Sequence, residues 1–266
     1  MTSNALSDAL SNVHAATPLI HCITNFVAMN STANALLAIG ASPAMLHAVE
    51  EVAEFTALAD ALSINIGTPS STFAEGMVSA AHTAARTATP WVFDPVAVGA
   101  TTFRQTLSER LLAFTPTVIR GNASEIMTLA GLTGRGRGVD STASADEAMD
   151  AAIALAGRQH CIVAMTGEHD IVTDGRKHLR LYGGHALMPR ITTLGCALSA
   201  TVAAFIAAND DHLSATAAAL ACFAVTGEQA GRDAAGPGSF QVALLDALYQ
   251  LTPASLAGAA RLEVLA

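Results

Sequence analysis

The chain has 266 residues, of which 52% are hydrophobic and 13% are charged, and its formal net charge is −9. A chain of this size can bury a large core, but its 13 Lys and Arg residues supply too little positive charge to favour nucleic acid or an anionic membrane as a partner. No window reaches the roughly 18 uninterrupted apolar residues of a membrane-spanning helix, and the stretch MTSNALSDALSNVHAA has neither the basic start nor the apolar centre of a secretory signal.

Short apolar runs alternate with helical patterns through the first half of the chain. The apolar runs predict strands at 18–24, 42–46, 62–67, 90–95 and 116–121. The stretches between and after them predict helices at 25–40, 49–61, 71–87, 103–113 and 122–131.

The second half opens with a segment of another kind. Residues 131–144 are Gly-rich and polar, which predicts a loop. A helix at 145–158 and a strand at 161–167 follow, and Asp174-Gly175 lies between alternating residues that predict a small β-hairpin near 170–182. The remaining apolar stretches predict helices at 196–208, 212–231 and 238–251.

This alternation, with buried strands, predicts an α/β fold with a central, mainly parallel sheet flanked by helices. No linker-like segment divides the chain, so we expect residues 1–266 to form a single domain. Ligands of such folds collect beyond the carboxyl ends of the strands. Polar residues and glycines stand at these ends, in Asn65-Ile66-Gly67, Asp94-Pro95, Arg120-Gly121-Asn122, Thr166-Gly167-Glu168 and Gly195-Cys196.

The four cysteines, Cys22, Cys161, Cys196 and Cys222, are widely spaced and form no C-x-x-C pair. Neither a disulfide framework nor a zinc site is indicated, and we expect the protein in a reducing cytoplasm. Cys196 stands out because it opens a helix, whose free amides bind anions and whose dipole lowers the pKa of a thiol. The alternative is that Cys196 is a small buried apolar residue.

Charged side chains at the other strand ends allow two interpretations. Arg120 suits phosphate oxygens, and Asp94 with Glu125 could hold Mg²⁺ together with waters. Alternatively, Asn122 and Glu125 form an ordinary helix N-cap, and Asp94 only starts an Asp-Pro turn. Met45 is by default a core residue.

Several motifs, in this order and at this spacing, resemble a known family. They are PLIHCITNFVAMNSTANALLAIGASPAML, ALSINIGT, FDPVAVGATTFR, VIRGNASEI, VAMTGEHDIVTDG and GCALSATVAAF. From residue 17 to residue 230 the chain is similar to the hydroxyethylthiazole kinases, which are thiamine-salvage enzymes of the ribokinase-like superfamily.

The resemblance implies that ATP phosphorylates the primary alcohol of 4-methyl-5-(2-hydroxyethyl)thiazole, with Mg²⁺, in a homotrimer that has its sites at subunit boundaries. It also implies a set of site residues: Cys196 for catalysis; Arg120, Thr166 and Asn122 for ATP; Asp94 and Glu125 for Mg²⁺; Met45, Asn25, Thr193 and Gly195 for the thiazole. The helix opening at Gly195-Cys196 would stabilise the moving phosphoryl group. Cys196 would accept or orient the alcohol proton, an effect on the order of 10²–10⁴-fold for a general base.

One turn departs from the family pattern. The family usually reads Gly-Thr-Gly-Cys where this chain has Thr193-Leu194-Gly195-Cys196. Thr193 takes the place of a substrate-contacting glycine, and a β-branched residue accepts positive φ only with strain. Backbone amides survive such an exchange if the turn keeps its shape, so we expect altered efficiency or substrate preference and an unchanged reaction class.

Other functions remain open at this stage. The chain could be another small-molecule kinase or a nucleotide-dependent dehydratase of the same superfamily. A screen of candidate alcohols with ATP would distinguish these enzymes. It could also be a ligand-binding homologue without turnover, because a fold does not fix a function. A cysteine hydrolase built on Cys196 is less favoured, since the sequence offers no motif-level histidine partner.

Overall fold

A computed structural model describes residues 3–132 and 145–265, so most of the loop predicted at 131–144 lies outside the described residues. The described strands are β1 Leu19–Ile23, β2 Ser42–Ala44, β3 Ala61–Asn65, β4 Trp91–Asp94, β5 Val118–Asn122, β6 Ile162–Thr166, β7 Asp170–Thr173, β8 His178–Tyr182 and β9 Arg261–Leu265.

The described helices are α1 Ser3–Ala16, α2 Met29–Ala38, α3 Val52–Leu58, α4 Ser71–Thr87, α5 Thr102–Leu112, α6 Ala123–Ala130, α7 Ala145–Gln159, α8 Leu194–Ala207, α9 His212–Gly231, α10 Pro237–Gln250 and α11 Pro253–Ala259. A 3₁₀ turn spans Met188–Arg190. Within the two described ranges, no helix combines the length and the apolar character needed to cross a bilayer.

The strands form one nine-stranded sheet in the order β2-β1-β3-β4-β5-β6-β7-β8-β9. Pairing is parallel from β2 to β6 and antiparallel from β6 to β9. The predicted mainly parallel sheet and the predicted hairpin are therefore confirmed. The hairpin turn forms locally, because the Asp174 carboxylate accepts hydrogen bonds from the amides of Arg176 and Lys177 at 2.8 and 2.7 Å.

Helix α8 lies at the centre of the fold. Every residue from Ala197 to Ile206 is buried, as expected of a helix that is apolar on all sides. It packs on β1, β3 and β4 and against α2 and α9. The other face of the sheet is covered by a cluster that includes α4 and α5 and by a second that includes α6 and α7. This packing fixes where the first turn of α8 meets the carboxyl ends of the strands.

Several predicted boundaries were wrong. The helix predicted from residue 25 begins at Met29, because the Asn25 side chain accepts hydrogen bonds from the amides of Val27 and Ala28 and holds a turn there. The helix predicted from Cys196 begins at Leu194. Helices α1 and α11 and strand β9 were not predicted; α1 nevertheless buries an apolar stripe in the core, made of Leu6, Leu10 and Val13.

Candidate active site

A cavity of about 770 Å³ opens at the carboxyl ends of the central strands. It is lined by most of the residues that were predicted from the sequence for the site: Asp94, Arg120, Asn122, Glu125, Thr166, Thr193, Gly195 and Cys196. Gly183, Met188 and Ala224 also line the cavity. The ends of β4, β5 and β6 and the start of α8 therefore face one space.

The first turn of α8 forms one wall of this cavity. Thr193 has φ = 69°, so the threonine adopts the left-handed conformation that usually favours glycine. Its hydroxyl lies 2.5 Å from the hydroxyl of Ser31, which links the turn to α2. The Thr193 side chain makes no capping hydrogen bond to the helix. Because the first amides of a helix have no partner within it, they remain available at the cavity wall.

Arg120 lies directly against this turn. A Cβ atom added at Gly195 would be 2.5 Å from Nη1 of Arg120, so the glycine makes room for the guanidinium group. Nη2 of Arg120 donates to the hydroxyl of Thr166 at 2.6 Å, and the buried Nε has no partner in the part of the chain that the structure describes. A positive group with free donors thus sits at the positive end of a helix, which is an arrangement suited to phosphate oxygens.

A chain of hydrogen bonds runs beneath the cavity from the thiol to the acid. Asn25 Nδ2 donates to Cys196 Sγ at 3.3 Å and to Asn65 Oδ1 at 2.8 Å. Asn65 Nδ2 donates to Asp94 Oδ2 at 2.7 Å, and the Ser199 hydroxyl donates to the same oxygen at 2.8 Å. Asn25, which the sequence proposed as a thiazole contact, therefore touches the proposed catalytic thiol.

Asp94 is the buried acid of the site, with 1% of its surface exposed. Burial raises its pKa to about 6, against the opposing effect of the Arg120 charge. Its Oδ2 accepts two hydrogen bonds, whereas its buried Oδ1 has no partner among the described residues. A buried carboxylate oxygen without a partner is costly, which indicates that a ligand, water or cation belongs beside it.

The prediction that Cys196 has a lowered pKa was wrong. Burial, followed by the negative charge of Asp94, raises the pKa of this thiol to about 11. The helix dipole acts over one turn and is outweighed here. The alternative of a fully buried apolar cysteine does not hold either, because Cys196 is half-buried and lines the cavity, whereas the other three cysteines are buried.

Asn122 and Glu125 form the N-cap that the sequence offered as an alternative. The Asn122 side chain accepts from the amide of Glu125, and Glu125 Oε2 accepts from the amide of Asn122, both at 2.9 Å. Glu125 Oε1 accepts from the amide of Ala97 at 2.9 Å. The two residues also line the cavity, so their capping role and their position at the site coexist.

Met45 does not line this cavity. It lies just beyond β2 and packs, partly buried, against the apolar core, which is the default interpretation of a methionine at this place. Its assignment to the thiazole pocket stays a prediction.

Two contributing residues were not proposed from the sequence. Asn65 was noted only as a polar strand end, and Ser199, one turn after Cys196, was not singled out. The signal for both is a polar residue on the buried face of an apolar element, where an unpaired side chain would be costly.

Comparison with known proteins identifies the family. Residues 10–254 match the family model described as "Hydroxyethylthiazole kinase family". A hydroxyethylthiazole kinase of Cereibacter sphaeroides is 58% identical over 246 residues, which cover 92% of this chain and 94% of that protein. One of Rhizobium etli is 55% identical over 248 residues, 93% of this chain and 96% of that protein.

Solved structures agree. The hydroxyethylthiazole kinase of Pyrococcus horikoshii has a TM-score of 0.91 at 41% identity, covering 98% of this chain and 99% of its own. A Staphylococcus aureus pyridoxal kinase in complex with AMP-PCP and pyridoxal has a TM-score of 0.63 at 15% identity, covering 93% of this chain and 98% of its own, which shows the fold alone. The predicted ribokinase-like fold is confirmed, and the chain belongs to the hydroxyethylthiazole kinase family.

Proposed function

We propose that this chain transfers the γ-phosphoryl group of ATP to the primary alcohol of 4-methyl-5-(2-hydroxyethyl)thiazole, a step of thiamine salvage. The alcohol oxygen forms a bond to the γ-phosphorus, the bond from that phosphorus to the ADP oxygen breaks, and the alcohol proton passes to solvent. The observation that carries the proposal is the single cavity that joins Asp94, Arg120 and the first turn of α8. We further propose that residues 1–266 act as a single domain in the cytoplasm.

The phosphates of ATP would lie against Arg120 and the first turn of α8. In phosphoryl transfer the protein contributes mainly positioning and charge stabilisation. The free donors of Arg120 and the uncapped amides of α8 supply both, and the Thr166 hydroxyl steadies the guanidinium group. Asn122 would contribute indirectly, because its side-chain oxygen already accepts the capping hydrogen bond.

The residues present fit a Mg²⁺ ion. The unpaired Oδ1 of Asp94 offers one oxygen, and each Glu125 oxygen retains a lone pair beside its backbone hydrogen bond. In the described ranges no cluster of three or more His, Cys, Asp or Glu side chains could hold a metal. This suits Mg²⁺, which is usually held by one or two carboxylates, waters and substrate phosphates. When bound, the ion would neutralise the charge of the phosphates.

Cys196 would act as a protonated thiol that orients the acceptor. With a pKa of about 11 the thiol carries its proton at neutral pH, so it is not poised as a base. A loose transition state places little demand on early removal of the alcohol proton. We therefore assign Cys196, held by Asn25, to positioning the alcohol, and Gly195 to leaving room beside it for Arg120. We propose that Thr193 and Met45 border the thiazole.

We also propose a homotrimer with the acceptor site near a subunit boundary. The support is a pair of exposed apolar side chains directly after Asn25: Phe26 and Val27 are 62% and 60% exposed. Val27→Asp should place a charge in that boundary and convert the native trimer to smaller species in sedimentation-velocity runs. Val264→Asp is the matched control, since Val264 is 55% exposed on β9 at the opposite edge of the sheet. A native monomer, or a trimer unaffected by Val27→Asp, would contradict this assembly.

The direct test of the activity is mass-spectrometric detection of the phosphorylated thiazole alcohol after incubation with ATP and Mg²⁺. Parallel incubations with pyridoxine and a simple sugar test the rival kinases. Phosphorylation of one of those alcohols in place of the thiazole would reassign the substrate, and ATP binding without any phosphorylated product would indicate a ligand-binding homologue.

A further inference from the structure

We propose that Asn65 is a positioning residue that holds the Asp94 carboxylate and the Cys196 thiol in one fixed arrangement. The inference rests on the proposed function, because it assigns to Asn65 the alignment of the phosphate side of the site with the acceptor side. Asn65 lies at the end of β3, between the two, and is 1% exposed.

The direction of every donor in this chain of hydrogen bonds follows from the carboxylate at its end. An ionised carboxylate only accepts, so the group of Asn65 facing Asp94 must be its NH₂. Its oxygen then faces Asn25 and also accepts from the amide of Gly67 at 2.8 Å. Asn25 must in turn present its NH₂ to Asn65 and to the thiol, which leaves its oxygen for the amides that it caps.

Close packing prevents the two amides from turning. A Cβ atom added at Gly67 would lie 2.6 Å from Asn25 Nδ2 and 2.9 Å from Asn65 Oδ1, so the glycine backbone is pressed against the pair. Asn25 is 5% exposed. In such a space a reversed amide would leave buried donors and acceptors unpaired, which is strongly unfavourable.

This arrangement has consequences at both ends of the hydrogen-bond chain, at Asp94 and at Cys196. At one end, Asp94 Oδ2 is saturated by Asn65 and Ser199, so that Oδ1 is the oxygen left for a ligand. At the other end, Sγ of Cys196 accepts from Asn25, so the proton of the thiol points to another partner. Loss of Asn65 should therefore disturb the reacting geometry more than the binding of either substrate.

The kinetic test compares Asn65→Ala and Asn65→Asp with the control Ser199→Ala. Aspartate has the shape of asparagine and can still accept from Asn25, but in its ionised form it cannot donate to Asp94. We expect both Asn65 variants to lower kcat by about 10–100-fold, as removal of outer-shell partners commonly does, with the KM for the thiazole alcohol changed less than about threefold. Ser199→Ala removes another donor to the same oxygen and should lower kcat by less than about tenfold.

A second measurement, the rate of cysteine labelling, does not depend on enzyme turnover. Iodoacetamide labelling of the protein alone at pH 9, resolved by residue with mass spectrometry, reports the thiolate fraction of Cys196. Asn65→Ala should slow labelling of Cys196 by about fivefold, because Asn25 loses the partner that aims its NH₂ at the thiolate. Ser199→Ala should leave the rate unchanged. The buried Cys22, Cys161 and Cys222 serve as internal controls for general loosening.

Each outcome decides the proposal. A native labelling rate in Asn65→Ala, or faster labelling of all four cysteines, would show that Asn65 only stabilises the fold and would overturn it. So would a fall in kcat/KM that comes entirely from KM. If the native protein formed no thiazole phosphate, the proposed function would fail, while the labelling experiment would still decide whether Asn65 orients the thiol.

Discussion

Two helices begin at the same cavity, and they begin differently. At α6 the side chains of Asn122 and Glu125 satisfy the first amides reciprocally, and Glu125 also binds the amide of Ala97. At α8 the N-cap residue Thr193, with φ = 69°, makes no capping hydrogen bond with its side chain. A helix whose amides are satisfied internally serves the scaffold, whereas one left uncapped beside an arginine is open to an anion. The start of α6 therefore has a structural role, whereas the neighbouring start of α8 has a functional one.

The largest expected effect lies on the α8 side. Arg120→Ala removes the guanidinium group packed on Gly195 and should lower kcat/KM by about 10²–10³-fold, in the range found for transition-state donors. Steady-state kinetics with varied ATP measures it. Arg158→Ala is the control, because within the described ranges Arg158 donates to the carbonyls of Leu129 and Ala130 at the end of α6, away from the first turn of α8. Equal losses in both variants would contradict a specific role for Arg120.

Cys196→Ala should have a smaller effect. Because burial and Asp94 raise the pKa of the thiol to about 11, the alanine variant loses an orienting group and no base, and turnover should slow by less than about 100-fold, at or below the lower limit for general bases. ATP affinity, measured by calorimetry, should be retained.

The pH dependence provides the check on this assignment. A raised thiol pKa means that the thiolate forms only in alkaline solution, so alkylation of Cys196 in the native protein should keep increasing up to and beyond pH 10. A midpoint of this alkylation curve at or below pH 8.5 would show that Cys196 can act as a thiolate base. A loss of turnover above about 10⁴-fold in Cys196→Ala would lead to the same conclusion.

On the α6 side, the expected effect is on stability. Asn122→Ala removes the cap and should lower the free energy of unfolding by about 1 kcal/mol, measured by urea denaturation. Activity at low temperature should change only a few-fold, since the Asn122 oxygen is engaged with the amide of Glu125. A large loss of ATP affinity without a loss of stability would instead assign Asn122 to the nucleotide.

The smallest effect is expected for Thr193→Gly. Glycine relieves the positive φ but loses the contact with Ser31 and adds freedom to the unfolded chain. These contributions oppose each other, so the free energy of unfolding should change by less than about 1 kcal/mol. The KM for the alcohol is the sensitive measurement, because Thr193 lines the cavity. An unchanged KM across several alcohols would exclude Thr193 from substrate selection.

Local patterns in the sequence predicted more of the fold than of the site. The hairpin at Asp174-Gly175 and the alternation of strands and helices depend on neighbouring residues, so both were predictable. The order of polar strand ends also indicated where the cavity would be. Helix α11 and strand β9 were missed because β9 is defined by pairing with β8 far earlier in the chain.

The chemistry of the site depends on contacts that local patterns do not contain. Asn25 and Asn65 are 40 residues apart, and Asn25 and Cys196 are 171 apart. The pKa of Cys196 was mispredicted for this reason: the helix start is visible in the sequence, whereas the burial and the Asp94 charge that outweigh it arise only on folding.

Arg104, in the first turn of α5, links two loops beside the site. Its guanidinium group donates to the carbonyls of Ile66 and Gly67 in the loop after β3 and to that of Val96 in the loop after β4. The loops that follow Asn65 and Asp94 are thereby joined into one rigid unit. We therefore expect any adjustment to an arriving ligand on the wall that contains Gly183 and Gly184, in the stretch that precedes α8.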